Sequence, residues 1–438
     1  MIDDPVLAAA PEPADAPRMT RASPQGVLAL LAEPNLRRLW AAQAWSGAGE
    51  ALAQIAMPLL VYSLMGSAAL VGFIALVLIL PRVVLAPIAG LLADRLNRRR
   101  LIILADAERL VLVTLVPFAA EIWQIAVLAV GIALGDAVAR PAELALVPSV
   151  AGPDRLVPAL SLVQVTRGII RVVIPAAGAG IIATSGPGPA FWIQSLCFIG
   201  SLFALRKLVV PGALRSTVDD RAGPGGLWQS ARQEMGEGLR AVRTIPIVRG
   251  VTASEMLWQL VSGALVVTAV VYTQETLQLA ARADAAFALM TTFFSGGAVL
   301  GALAASRVEL RIGRPRLMAI GYLGPLFLLA ALFTPPLPVI YAAWFALGFT
   351  DAWAVISFQA YLAEAVPEHL RGRVYATWGA LVALAAAIFF YVMGIVTPLL
   401  GAPLTFALVG LIVGLGGPVL LWLTGALQSI RHHGPTAA

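Results

Sequence analysis

The sequence predicts an all-α integral membrane protein, twelve transmembrane helices arranged as two pseudo-symmetric six-helix halves. Three observations carry that prediction. Charged residues make up 12% of the 438, against roughly 25% in soluble domains, while mean hydropathy is +0.86. Apolar runs of about 20 residues recur from end to end, long enough to cross a hydrocarbon core of roughly 30 Å as helices whose backbone groups are satisfied internally. One long polar stretch, 211–245, divides these runs into six and six.

In chain order, residues 1–38 are rich in Pro, Ala and acids and lack a basic segment followed by an apolar core, so they read as a cytoplasmic tail, not a cleaved signal peptide. Helices are expected near 39–65, 68–94, 100–119, 122–148, 155–183 and 189–210, which form the first half, 39–210. Six more are expected near 246–275, 283–310, 315–334, 337–366, 370–398 and 402–430, forming a second half, 246–430, before a short tail at 431–438. The turns "TSGPGP", "TPPLP" and "TPLLGAP" are Gly/Pro breakers. Within 211–245 the first part reads as a flexible linker. In the second, Leu227, Ala231, Met235 and Leu239 recur at helical spacing with arginines opposite, which predicts an amphipathic helix on the inner leaflet.

Charge orients the bundle. With the N-terminus inside, 24 of the 30 basic residues fall in inner segments and one, Arg282, in an outer loop. That asymmetry predicts a multi-pass protein of the cell membrane with both termini cytoplasmic. It also explains the net charge of +6 without a nucleic-acid partner. The single cysteine, Cys197, excludes an intrachain disulfide and a cysteine-based metal cage. Three histidines, His369, His432 and His433, all lie outside the spans, and no GxxxxGK[ST] sequence exists. An enzyme, a metal site, a nucleotide-driven pump or any cofactor is therefore not expected. The halves also echo one another: "ALVPSVAGPDRLVPA" at 145–159 and "AEAVPEHLRGRVYA" at 363–376 each place Val-Pro at a helix end before a short turn with arginine. Internal repeats of this kind belong to transporters, in which two halves rock about a central site.

The stretch "GLLADRLNRRRL", residues 90–101, crowds Arg95, Arg98, Arg99 and Arg100 behind Asp94. It resembles the loop signature between helices 2 and 3 of the major facilitator superfamily, with Gly90, Asp94, Arg95, Arg98 and Arg99 matching. Asn97 stands where glycine is usual, a substitution that the readiness of Asn to enter the left-handed region makes tolerable. "NLRRLWAAQAWSGAGEALAQIAMPLLVY", "RPAELALVPSVAGPDRLVPA", "EGLRAVRTIP" and "VPEHLRGRVYA" resemble the macrolide-efflux and enterobactin-exporter group. The resemblance implies a conformational latch in which Asp94 meets the start of helix 11, near Arg371 and Arg373, and holds the cytoplasmic side closed. It also implies that Pro175, Gly178 and Gly180, in "RGIIRVVIPAAGAGII" of helix 5, stand for an antiporter motif, although Ile174 replaces its first glycine.

Ionisable residues within spans cost roughly 2.5–3.5 kcal/mol each on insertion, so they mark partners or function. Glu50, near the middle of helix 1, is the first candidate for proton coupling or for contact with a cationic substrate. Asp136, Arg140 and Glu143 share one face of helix 4 and can pair along it. Asp106, Glu108 and Arg109 lie on helix 3. Arg167 and Arg171, one turn apart on helix 5, need acids that helix 1 or helix 4 could supply. In the second half Glu255 and Asp351 are the notable acids, and Trp353 beside Asp351 is a candidate wall for an apolar or cationic ligand. That half otherwise reads as an apolar wall.

These features predict a secondary transporter, functional as a monomer and driven by the proton gradient. Its expected role is export, by antiport, of a bulky amphipathic compound such as a macrolide-like drug or a siderophore. The alternatives are an importer or a lipid or metabolite transporter of the same fold and, further off, a membrane sensor or a membrane-embedded enzyme.

Overall fold

The computed structural model describes residues 30–152, 155–209, 235–367 and 370–424, with the side chains of 86–95 and 281 left aside. Every regular element among the described residues is helical. In the first half these are α1 (Pro34–Met65), α2 (Ala68–Arg95), α3 (Arg98–Leu115), α4 (Ile122–Ala151), α5 (Leu156–Ser185) and α6 (Gly188–Arg206). In the second they are α7 (Pro246–Thr276), α8 (Ala283–Ile312), α9 (Arg314–Phe333), α10 (Leu337–Ala365), α11 (Arg371–Leu400) and α12 (Ala402–Leu423).

The ends of these helices follow from local chemistry. α1 begins five residues before its expected start because Pro34 can occupy the first turn, where its missing N–H is no loss. It ends at Gly66, whose φ of 60° closes the helix through a bond from its N–H to the Tyr62 carbonyl. Asn97 is not left-handed as expected. At φ −65° it caps α3, its side chain accepting the Arg100 N–H at 3.2 Å, a position for which Asn is among the preferred residues. α9 tightens to 3-10 geometry from Gly324 onward, where Pro325 lacks a donor and its ring obstructs the preceding turn. α7 widens into two π turns, Ala264–Thr268 and Tyr272–Thr276.

Eleven of the twelve helices are long and apolar enough to span a membrane. The other, α3, occupies the third place in the first half but carries Arg98, Arg99, Arg100, Asp106, Glu108 and Arg109 in 18 residues. It belongs to the bundle because Asp106 and Arg109 turn inward, both with no exposed side-chain surface. The lipid side is covered instead by side chains such as Trp123, Phe203, Leu303 and Trp422, all more than 60% exposed.

Packing follows a two-fold rule. α1 lies on α5 and α6, α2 on α4, and α3 on α4 and α6; each contact recurs six helices later, as α7 on α11 and α12, α8 on α10, and α9 on α10 and α12. Between the halves α2 packs on α11 and α5 on α8, a pair that the same operation exchanges. Close approach is made by missing side chains. Gly297 and Gly301 of α8 lie against the carbonyls of Phe345 and Phe349 in α10. At the seam, Gly72 of α2 lies against the Phe390 carbonyl, and a methyl at Gly394 would meet the Ala68 oxygen at 2.7 Å. Tyr62 of α1 donates to Glu275 of α7 at the same, charge-poor rim. Gly410 and Gly414 of α12 pack on Pro325 and Leu326 of α9.

At the arginine-rich rim, arginines close helix ends. Arg98 donates to the Ala145 carbonyl (3.2 Å) and Ser149 (3.4 Å) in the last turns of α4. Arg99 donates to the carbonyls of Leu205 (3.0 Å) and Arg206 (2.7 Å), and Arg38 to that of Lys207 (2.6 Å), at the end of α6. The carbonyls at the end of α6 are the orphans of a helix C-terminus, where positive charge is favoured. Residues 227–234, with Leu227 and Ala231 of the expected amphipathic helix, lie outside the described residues, and a helix covers 235–244. It docks on protein instead of lying free on a leaflet: Glu237 pairs with Arg373, Gly238 sits against Thr377, and Ala241 and Val242 are buried.

The orientation gives a direct test. Cysteines introduced at Leu96, 52% exposed, and at Ser185 should react with a membrane-impermeant maleimide from opposite sides, Ser185→Cys from outside intact cells. Labelling of both from one side would overturn the assignment of the arginine-rich rim to the cytoplasm.

Candidate functional site

The centre of the first half is an ion-pair network assembled from five helices. Arg109 of α3, with a fully buried side chain, bonds Glu50 of α1 at 3.0 Å, Asp136 of α4 at 2.6 Å, and Asp106 one turn back on its own helix. Its guanidinium also lies 4.8 Å from the centre of the Phe198 ring of α6. Arg140 of α4 takes the other oxygen of Glu50 at 2.7 Å, Arg82 of α2 pairs with Asp136, and Ser201 of α6 donates to Asp106 at 2.6 Å. Gly135 makes room for this, since a side chain there would collide with Glu108 and with the Arg109 stem.

The network explains how charge survives in an apolar bundle. Glu50, Asp106 and Asp136 each face an arginine, and removing one partner would leave a buried charge uncompensated. Glu50, Asp106 and Asp136 match Arg82, Arg109 and Arg140, while Glu108 and Glu143 lie within the same field without an ion pair among the described residues.

Above the network a cavity of about 310 Å³ opens between the halves. Its polar wall is Glu50, Gln54, Arg82, Asp136, Arg140 and Gln194, and its apolar wall includes Phe191 and Phe198 of α6, Val266 of α7 and Phe390 of α11. Two lining residues hold buried polar atoms without a partner, Nε of Arg82 and Oε1 of Gln194. A cavity lined mostly by apolar groups with a few placed polar ones is the usual form of a small-molecule site.

The structure thus brings Glu50, Asp136 and Arg140 together. The three α4 charges that could pair along their own helix do not do so: Arg140 goes to Glu50 and Asp136 to Arg109 and Arg82, while Glu143 has no ion pair among the described residues. Arg171 does not join them. Neither it nor Arg167 pairs with α1 or α4, and Arg171 acts electrostatically on Asp351 of the other half. Trp353 is not part of the cavity wall. Its indole donates to the Gly301 carbonyl at 3.0 Å and its ring packs edge-on to Phe349. In α5, Pro175 is buried, a side chain at Gly178 would meet Leu52 of α1 at 2.7 Å, and Gly180 faces open space.

Of the latch, the side chains of Gly90, Asp94 and Arg95 lie outside the described residues. Arg98 and Arg99 hold the ends of α4 and α6, Arg371 donates to the Val366 carbonyl at 3.3 Å, and Arg373 is held by Glu237. The second half is also less apolar than expected. Glu255 of α7, 8% exposed, accepts a 3.0 Å bond from the fully buried Tyr322 hydroxyl of α9.

Sequence reasoning missed Arg82, Arg109, Gln194 and Tyr322 as site residues. For Arg109 a signal existed: an arginine three residues after an aspartate, inside a span, needs a partner on the same face. Gln194 and Tyr322 carried no such mark.

Comparison with known proteins supplies the family. The family described as "Transmembrane secretion effector" matches residues 25–431. The multidrug efflux pump Tap of Mycolicibacterium fortuitum is 28% identical over 391 residues, covering 86% of this chain and 93% of that one. Tap of Mycobacterium tuberculosis is 29% identical over 381 residues, covering 83% and 85%. The same fold occurs in the nucleoside transporter NupG (TM-score 0.67, 13% identity, 90% of this chain and 98% of that one). It occurs again in a bacterial homologue of the iron transporter ferroportin in an inward-facing state (TM-score 0.66, 15% identity, 89% and 98%). Its relatives are transporters and not enzymes. With the family match running almost from end to end, this chain belongs to the transmembrane secretion effectors and is a membrane transporter of the major facilitator superfamily, of its efflux branch.

Proposed function

We propose that the protein exports a bulky, amphipathic compound, such as a macrolide-like drug or a siderophore, through the cell membrane by alternating access, as a monomer with both termini cytoplasmic and in exchange for protons. The observation that carries this reading is the cavity between the halves, with its aromatic and aliphatic wall and its few paired charges. The apolar body of such a compound would lie against Phe191, Phe198 and Phe390, and its polar groups would meet Gln54, Gln194 and the Glu50–Arg140 and Asp136–Arg82 pairs. The similarity to pumps named for multidrug efflux supports the direction.

The test is retention of macrolides, lipophilic cationic dyes and catecholate siderophores in cells lacking their main pumps. Retention should fall with the wild-type protein, not with Glu50→Gln or vector, and a protonophore should erase the difference. Equal retention of every compound in all three strains would sink the export reading.

A further inference from the structure

The two-fold rule carries α1, α3 and α4, which hold Glu50, Arg109 and Asp136, onto α7, α9 and α10, which hold Glu255, Tyr322 and Asp351. Of these, the aspartates share a register. Asp136 and Asp351 are each the fifteenth residue of their helices, Ile122–Ala151 and Leu337–Ala365. Glu50 is bonded from α3 by Arg109, and Glu255 from α9 by Tyr322. The geometry points to a proton site at Glu255: its buried partner is a neutral tyrosine, where Glu50 of the first half has two arginines, so Glu255 takes up and releases a proton during transport.

The two partners make different chemistry of the same carboxylate. Glu50 is held by Arg109 on one oxygen and by Arg140 on the other. Glu255 has only a hydroxyl donor and the negative charge of Asp351. Among the described residues, no basic side chain lies on the packed faces of α7, α9, α11 or α12 around it. The nearest arginines are engaged at the rim: Arg249 with the Thr424 carbonyl, Arg314 with Glu309 and Glu364, and Arg373 with Glu237. Arg171, across the seam, acts on Asp351. A carboxylate that is nine-tenths buried without a cation is stable in lipid-like surroundings chiefly as the neutral acid. The step is a simple transfer: a proton from water on one side binds a carboxylate oxygen of Glu255 and later leaves to water on the other. Its release restores two like charges, Glu255 and Asp351, in one half, which drives that half toward the state in which they are hydrated.

This inference gives the proposed export its coupling residue and rests on that reading for its purpose, but its test needs no substrate. Infrared difference spectra of the purified protein in lipid, between acidic and alkaline buffer, should contain a protonated-carboxyl C=O band. Glu255→Gln should lose that band while keeping the wild-type unfolding temperature. Tyr322→Phe should keep it at a shifted frequency, because the acid has lost its hydroxyl partner. In cells, Glu255→Gln should make dye retention insensitive to the protonophore. An unchanged band in Glu255→Gln, or a band unmoved in Tyr322→Phe, would overturn the site and leave the export reading standing. A band that behaves as stated in a protein that exports nothing would do the reverse.

Discussion

Arg109→Met is expected to lose roughly 3–5 kcal/mol of stability, the usual loss when one partner of a buried ion pair is removed. Methionine fills most of the space but returns no charge, leaving Asp106, with no exposed side-chain surface, without its arginine and Glu50 and Asp136 each with one remaining partner. Few membrane proteins have that much stability to lose, so the variant should accumulate poorly and unfold at a markedly lower temperature in detergent. Arg140→Met is the control. Arg140 is 46% exposed and its partner Glu50 keeps Arg109, so the loss should stay within about 1 kcal/mol, the range of exposed pairs. Equal unfolding temperatures for wild type and Arg109→Met would show that the network is not what holds α1, α3 and α4 together.

Gly72→Val, alone or with Gly394→Val, should instead change which state is populated. Both glycines lie where α2 and α11 meet backbone to backbone, and a side chain at either would collide with a carbonyl. Overpacking costs about 1–3 kcal/mol, and that penalty applies only while the charge-poor rim is closed. A shift of this size changes the ratio of open to closed by roughly 5- to 150-fold. Val61 reports it: the residue lines the cavity just below that rim and is wholly buried. In Val61→Cys, alkylation from outside intact cells should accelerate by that factor when Gly72 is replaced, and export should fall with it. An unchanged rate would mean that the seam does not close the rim.

Much of the fold was legible because hydropathy and arginine placement act through single residues and local runs. Eleven spans announce themselves that way. α3 does not, since its charges face inward, and only its position between two clear spans gives it away. The site was legible in part for the same reason. A charged residue inside a span is visible alone, which singles out Glu50, Asp136, Arg140 and Asp351. Pairing is not, because it depends on which faces converge: Arg140 lies one turn from both Asp136 and Glu143 on α4 and yet reaches Glu50 on α1. Tyr322 was hidden for a different reason. A tyrosine in an apolar helix is unremarkable until a buried carboxylate is found at its hydroxyl. Trp353 erred the other way, an aromatic beside an acid whose ring serves the contact between α8 and α10.

The arginines that close helix ends bear on how a greasy molecule gets in. Arg38, Arg98 and Arg99 tie the rim ends of α1, α3, α4 and α6 to one another through main-chain oxygens. Four staves bound at the hoop do not spread. If the halves rock as proposed, the borders that open are those where α2 meets α11 and α5 meets α8. Lateral capture from the lipid and the transport stroke would then be one motion. A cargo that partitions into the bilayer before it is caught would be selected by its oil solubility as much as by its fit to the cavity.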